Sequence, residues 1–218
     1  MKSDGLDRSI LRQPKTHAEN RASRLSLSRL ANDLADALFQ VDVSGAAHKA
    51  YQPGIGPFGE AEAVKAVLLW LKQNKPDVYG DAVIKRKPDL LIPGEWQIEF
   101  KLVRPFGDNG KEAEDWSQNV LHPYAGNTSS LGDCLKLLQS ALPERKAVIV
   151  FGYEHSPSRI PLETCIKGFE LLAETLLNII LSPRIELLRS GLRHPVHQVL
   201  RVYAWEVKSL RETHERSF

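Results

Sequence analysis

The segment KRKPDLLIPGEWQIEFKLV, residues 85–103, decides how the centre of this chain folds. A short apolar run is followed by the turn residues Pro93-Gly94 and then by Trp96–Val103, in which apolar and polar residues alternate. Alternation with a period of two is typical of a β-strand with one buried face. The segment therefore predicts a β-hairpin whose second strand carries Glu99 and Lys101 side by side on one face.

The length of the turn decides which residues of the two strands lie opposite each other. With a two-residue loop, Asp89 faces away from Glu99. With a three-residue loop that includes Glu95, Leu90 pairs with Ile98 and Asp89 lies opposite Glu99. The second register gives one wholly apolar face, so burial favours it. We therefore expect both carboxylates on the other face, about 3–6 Å apart and within reach of one cation.

Two carboxylates with a lysine two residues beyond the second suit a site for a hard divalent cation, where the lysine orients a water or neutralises charge on a phosphate. A structural alternative exists, because a hairpin with one solvated face carries Glu and Lys two apart for solubility alone. A second Glu-x-Lys tripeptide, Glu206-Val207-Lys208, has no Asp close before it. The tripeptide by itself is therefore a weak signal, and the surrounding elements must decide.

Upstream of the hairpin, Pro57–Asn74 predicts a helix, because Ala, Leu, Glu and Lys dominate it and Pro76 closes it. Glu60 shares a face of this helix with three apolar residues, Val64, Val67 and Leu71. A glutamate in the first turn also complements the positive helix N-terminus, which is a structural explanation for its position.

Downstream of the hairpin, the pattern predicts a helix around Leu131–Ala141 and an apolar strand at Lys146–Tyr153. Leu162–Leu181 predicts a long helix, and a shorter helical stretch follows and ends at Ser190. Gln198–Lys208 alternates and predicts a late strand of the same sheet. The order of elements predicts an α/β fold with a mixed central β-sheet flanked by helices.

Pro88-Asp89 followed by Glu99-Phe100-Lys101, within the order helix, two strands, helix, strand, resembles the PD-(D/E)xK nuclease superfamily. The resemblance covers residues 57–155 and implies the restriction-endonuclease-like fold. It also implies metal-dependent hydrolysis of a phosphodiester, with DNA as the expected substrate. The glutamine that members often carry in the following helix has two candidate counterparts, Gln118 and Gln139.

The resemblance assigns a role to each residue of the motif. Asp89 and Glu99 would be Mg²⁺ ligands, with Mn²⁺ as the alternative ion and the Phe100 carbonyl as a third ligand. Lys101 would position or activate the attacking water and stabilise charge on the phosphate. Glu60 matches the accessory acid that members often supply from the first helix.

Basic residues flank the hairpin in sequence, and we expect several of them to bind phosphates without reading bases: Lys85, Arg86, Lys87, Arg104 and Lys111. The alternative function is a non-catalytic nucleic-acid-binding or assembly protein that keeps the nuclease fold. Intact Asp, Glu and Lys argue against it, because a protein without turnover has no physical need for all three. An unrelated small-molecule hydrolase is disfavoured, since the chain lacks a nucleophile motif such as Gly-x-Ser-x-Gly.

At 218 residues the chain is long enough to bury one substantial core. We expect a basic N-terminal arm and helix over residues 1–45 and a single nuclease-like domain over residues 46–218. Leucines with helical spacing mark that helix: Leu27, Leu30, Leu34 and Leu38. A solvated tail is favoured for the arm over contact with nucleic acid. The net charge is only +2, so any grip on nucleic acid must come from local clusters.

Cys134 and Cys165 have neither metal-finger nor disulfide-framework spacing, which favours reduced core residues in a cytoplasmic protein. No apolar run reaches membrane-spanning length, so we expect no membrane partner, and a homodimer stays open. His194 and His197 have a helical ligand spacing, but Pro195 and the strand pattern after them argue against a helix. Structural or surface histidines are the favoured explanation.

Overall fold

A computed structural model describes residues 24–45, 53–123 and 128–209. Within these ranges the helices are α1 (Leu27–Val43), α2 (Glu60–Asn74), α3 (Pro76–Tyr79), α4 (Gln118–Leu121), α5 (Ser130–Leu138) and α6 (Glu163–Thr175). The strands are β1 (Val83–Ile84), β2 (Leu90–Ile92), β3 (Trp96–Val103), β4 (Arg145–Glu154), β5 (Ile179–Leu181), β6 (Ile185–Ser190) and β7 (Val199–Ser209).

The strands form one seven-stranded mixed sheet in the order β1-β2-β3-β4-β7-β5, and β6 also pairs with β7. The β3–β4 pair is parallel and the other pairs are antiparallel. Helices α1 and α2 cover one face of the sheet, while α4, α5 and α6 cover the other, so each face has its own hydrophobic core. The predicted α/β architecture with a mixed sheet flanked by helices is confirmed.

The hairpin has the register that the three-residue loop predicts. Leu90 pairs with Ile98, and Ile92 pairs with Trp96. The N–H of Glu95 donates to the Ile92 carbonyl at 3.0 Å, and Gly94 takes a φ of +74° that favours glycine at the turn. The polar face of β3 is not solvated, because helix α5 packs over it.

Helix α1 is part of the domain, since Leu30, Leu34 and Leu38 are buried in the core that also holds Trp96. The indole N–H of Trp96 donates to the Leu25 carbonyl at 2.8 Å, which fixes the chain just before α1. Most of the predicted basic arm lies outside the described residues, as do residues 46–52 of the connection between α1 and α2.

The end of one predicted helix and the whole of another predicted helical stretch are wrong. The long helix expected over Leu162–Leu181 ends at Thr175, because Asn178 takes a φ of +52° and the chain then enters β5. The helical stretch expected up to Ser190 is strand β6, in which Ile185 and Leu187 pack on the core. Both segments pair with β7, so sheet formation overrides their local helical pattern.

Two further expectations concern the cysteines and the membrane. Cys134 and Cys165 are both free and buried, as predicted. Among the described residues no helix has the length and apolar character needed to cross a membrane.

Candidate functional site

The candidate site lies where β3 continues beyond the end of its pairing with β2. On that edge the N–H groups of Phe100 and Leu102 have no partner in β2, whose pairing with β3 ends at Leu90. The Asp89 carboxylate accepts the Phe100 N–H at 2.9 Å, and the Glu60 carboxylate accepts the Leu102 N–H at 2.9 Å. Two acids from separate elements thus take the place of a neighbouring strand.

Asp89 and Glu99 meet as the register predicts, and each carboxyl group is close enough to shift the pKa of the other. Two acids this close repel each other when both are ionised, and a proton or a cation between them relieves that repulsion. Burial, followed by the negative charges of Asp89 and Asp133, raises the pKa of Glu99 to about 8. Burial also raises the pKa of Asp89, although the Phe100 N–H opposes the change. The pKa values of both carboxyl groups are therefore shifted toward the protonated form.

Lys101 is buried beside this pair and lies between two further acids. Its ammonium nitrogen is 3.1 Å from an Asp133 oxygen and 3.6 Å from a Glu60 oxygen. Lys101 is 7% exposed and Glu99 is 5% exposed, so the simple explanation of a solvated Glu-x-Lys face does not hold. Burial is also the first cause of a raised Glu60 pKa, which the Lys101 charge opposes.

Asp133 and Lys136 complete the site, and the sequence analysis missed both. They lie on α5, where Lys136 contacts the second Asp133 oxygen at 2.6 Å. Burial would lower the pKa of Lys136, but its hydrogen bond to Asp133 and the nearby negative charges raise it. A signal existed, because Asp133 falls among the buried, mostly apolar positions of this helix and is only 1% exposed. An acid on a buried face indicates a partner or a function.

Four carboxylates and two ammonium groups therefore share one site: Asp89, Glu99, Glu60 and Asp133, with Lys101 and Lys136. If all six groups were ionised, the site would carry an excess of two negative charges. Burial makes that excess costly, and protonation of Glu99, whose pKa is raised, reduces it.

A surface cavity of about 240 Å³ gives access to this site from solvent. Lys87 and Lys136 both line it beside Glu99, and Gln139 also lines it. Lys87 is thus the predicted phosphate-binding residue that borders the cleft. Gln139 is one of the two candidate counterparts of the helix glutamine that superfamily members often carry, and it lines the same cavity.

The other predicted basic residues do not line this cavity. Arg104 donates a hydrogen bond to the Gly56 carbonyl at 2.8 Å and lies 3.6 Å from an Asp108 oxygen. Lys85 is exposed near β1, and Lys111 is exposed in the loop after β3. Arg104 therefore connects two loops at the carboxyl end of β3.

The backbone of Phe100 faces the same strand edge as the acids. Its N–H points toward Asp89, and the N–H and C=O of one residue leave a strand on the same side. The Phe100 ring packs in the opposite core, 5.1 Å from the ring of Phe151 between centroids. The Phe100 carbonyl, the expected third Mg²⁺ ligand, is therefore directed to the edge of β3 on which Asp89 lies.

Scans against protein-family models, curated proteins and solved structures each found no match to this chain. The resemblance to PD-(D/E)xK nucleases rests on the motif and the order of the elements, and the functional interpretation rests on the site residues themselves.

Proposed function

We propose that the protein is a metal-dependent phosphodiester hydrolase that acts on DNA. The observation that carries the proposal is the meeting of Asp89 and Glu99 beside the buried Lys101 ammonium. Neighbouring acids whose pKa values are raised by burial, next to a cleft lined by lysines, are expected at functional sites more than at structural ones.

The donor set fits Mg²⁺ or Mn²⁺. Asp89 and Glu99 would hold the ion together with the Phe100 carbonyl, and hard cations prefer such oxygen ligands. Two excess negative charges match the charge of a dication. A bound Mg²⁺ would polarise a phosphoryl oxygen and lower the pKa of a water molecule.

Lys101 would stabilise the charge that develops on the phosphate during hydrolysis. Asp133 and Glu60 both contact its ammonium group, so they hold the cation at the site before any substrate arrives. Glu60 also holds the backbone at Leu102, which makes it a positioning acid in this scheme. Lys87 and Lys136, at the mouth of the cleft, would bind neighbouring phosphates of the DNA strand.

Incubation of the purified protein with supercoiled plasmid and Mg²⁺ or Mn²⁺ tests the proposal. We expect nicking or linearisation that EDTA stops, and a loss of roughly 100-fold or more in Asp89→Asn and Lys101→Met. Glu206→Gln is the matched control, because Glu206 belongs to the other Glu-x-Lys tripeptide of the same sheet. It should cleave like the parent.

Two results would argue against hydrolysis at this site. Cleavage that persists in Asp89→Asn would assign the activity to another site or to a contaminant. Binding of DNA without cleavage under either metal would support the alternative of a non-catalytic DNA-binding protein with the same fold.

A further inference from the structure

A second group of metal-ligating side chains lies beyond the carboxyl end of β3, outside the carboxylate site. Asp108, His194 and His197 each offer one ligand atom, and these atoms lie within 4.8 Å of one another. Asp108 comes from the loop after β3, and both histidines come from the connection between β6 and β7. Residues far apart in sequence therefore converge on one point.

Each of the three side chains has a buried polar atom that lacks a hydrogen-bond partner among the described residues: Asp108 Oδ1, His194 Nε2 and His197 Nδ1. His194 is 0% exposed and His197 is 1% exposed. Buried polar atoms in native proteins are nearly always paired. The Arg104 guanidinium lies 3.6 Å from Asp108 Oδ1, too far for a hydrogen bond, so three atoms without a hydrogen bond indicate that a further group belongs beside them.

The hydrogen bond of His197 favours a cation as that group. Its Nε2 lies 3.0 Å from the Phe106 carbonyl, so Nε2 carries the proton and donates it. The lone pair of Nδ1 is then free on the side of Asp108, whose oxygen is 3.6 Å away. A metal-bound histidine commonly donates its other ring N–H to a carbonyl in this way.

His194 is arranged less favourably. Its Nδ1 accepts from the backbone N–H groups of Val196 and His197 at 3.2 and 3.3 Å, which places the ring proton on Nε2. Coordination through Nε2 moves that proton to Nδ1 and gives up these two long contacts. We therefore expect His194 to be the weakest of the three ligands.

The surrounding loops hold the cluster from several sides. A Cβ atom at Gly56 would lie 2.5 Å from the His197 Cβ and 2.6 Å from its Nδ1, so only glycine lets the chain pass this close. The buried Asp42 carboxylate accepts the N–H groups of Ile55 and Arg193 at 2.9 and 2.8 Å. Three segments, residues 53–58, 104–112 and 191–198, are thus fixed against one another around the cluster.

We propose that Asp108, His194 and His197 bind a transition-metal dication such as Zn²⁺, which ties these three segments together. Two imidazole nitrogens and one carboxylate oxygen form a donor set that suits Zn²⁺, whereas the all-oxygen carboxylate site suits Mg²⁺. Arg104, 3.6 Å from Asp108, opposes the binding of a cation and limits the affinity. The proposal does not depend on the hydrolase function.

Titration of the metal-stripped, full-length protein with Zn²⁺ and Co²⁺ tests this site. We expect one equivalent to bind, with visible Co²⁺ absorption typical of nitrogen and oxygen ligands in a low-coordinate site. At a free Zn²⁺ concentration about 100 times its Kd, the Tm should rise by about 5 °C or more. The same concentration of Mg²⁺ should not raise the Tm through Asp108, His194 and His197.

Variants assign the ion to the cluster. His197→Gln and Asp108→Asn should weaken Zn²⁺ binding by about tenfold or more, and His194→Gln should weaken it less. His155→Gln is the matched control, because His155 is also buried and contacts Phe106 but lies outside the cluster. It should bind Zn²⁺ like the parent.

Equal affinity in His197→Gln and the parent would overturn the proposal by assigning the ion to other histidines. Absence of stoichiometric binding by the parent would also overturn it and would leave a buried water as the group between the three side chains. The Zn²⁺ titration of the parent protein tests the proposed site even if a variant fails to fold. Plasmid cleavage would be unaffected by either outcome, so the two proposals fail separately.

Discussion

The sheet carries the tripeptide Glu-x-Lys twice, and the two copies differ in their surroundings. In β7, Glu206 and Lys208 pair with each other at 3.6 Å, and their side chains are 24% and 42% exposed. In β3, Glu99 and Lys101 are almost fully buried, and each contacts acids from other elements. The same local sequence is a surface ion pair in one strand and part of a charged interior site in the other.

The two copies should contribute differently to stability. An exposed ion pair such as Glu206–Lys208 contributes little, on the order of 0–1 kcal/mol. Buried acids whose pKa rises, as that of Glu99 does, reduce the stability of the folded protein at neutral pH. A protein that retains such a group gains no stability from it, which favours a functional reason for its presence.

The largest expected contrast between the two copies concerns catalysis. Glu99→Gln should reduce plasmid cleavage by roughly 100-fold or more, because it removes a metal-binding charge, while Glu206→Gln should leave the rate unchanged. Initial rates of nicking at saturating Mg²⁺ measure the contrast. Similar rates in both variants would show that the buried copy has no catalytic role.

The next contrast concerns metal binding and pH. Because the pKa of Glu99 is about 8, Mg²⁺ must displace a proton below that pH, and its affinity should rise by up to about tenfold per pH unit. The Mg²⁺-induced increase in Tm should therefore be larger at pH 8.5 than at pH 6.5 in the parent and in Glu206→Gln. A pH-independent increase would mean that no proton leaves the Asp89–Glu99 pair.

A smaller contrast concerns stability without metal. The Glu99 pKa is raised from 4.5 to about 8, so the folded state keeps a proton that the unfolded state loses. The contribution of Glu99 to stability is therefore fully present below pH 4.5 and is lost as pH rises through 8. Glu99→Gln removes this loss and should raise the free energy of unfolding at pH 8.5 by roughly 1–3 kcal/mol. The range is smaller than the full pKa shift implies, because water at the cleft screens the charge.

Urea unfolding in EDTA measures this effect, with Glu206→Gln as the control that should change by less than about 0.5 kcal/mol. Destabilisation of Glu99→Gln across the same pH range would identify the Glu99 carboxyl as a structural hydrogen-bonding group instead.

The smallest expected effect concerns DNA binding. Lys87→Glu should reduce the slope of log K against log[salt] by about 1–2, because Lys87 lines the cleft beside Glu99. Lys208→Glu, in the exposed copy, should leave the slope unchanged. Fluorescence anisotropy with a labelled duplex at several salt concentrations gives both slopes. Equal slopes in the two variants would remove Lys87 from the DNA-binding surface.

Local sequence was sufficient to predict the hairpin, because the alternation of Trp96–Val103 and the three-residue turn allow only one register with an apolar face. That register placed Asp89 opposite Glu99. Glu60 was identified as the first-helix acid by the resemblance, and in the fold its carboxylate reaches the Leu102 N–H.

The remainder of the site depends on contacts between distant segments. Asp133 and Lys136 reach β3 only because α5 folds back over the sheet, and no period in the sequence specifies that packing. Strands β5 and β6 depend in the same way on pairing with β7. The Asp108–His194–His197 cluster is formed by loops, where periodicity gives no information.

Binding of Mn²⁺ to Glu99→Gln and Glu206→Gln, followed by electron paramagnetic resonance, tests the central claim most directly. Both variants keep Asp108, His194 and His197, so any difference in bound Mn²⁺ reports the carboxylate site alone. We predict that Glu206→Gln binds Mn²⁺ like the parent and that Glu99→Gln loses that bound ion. Equal Mn²⁺ binding by the two variants would contradict a metal site at the Asp89–Glu99 pair.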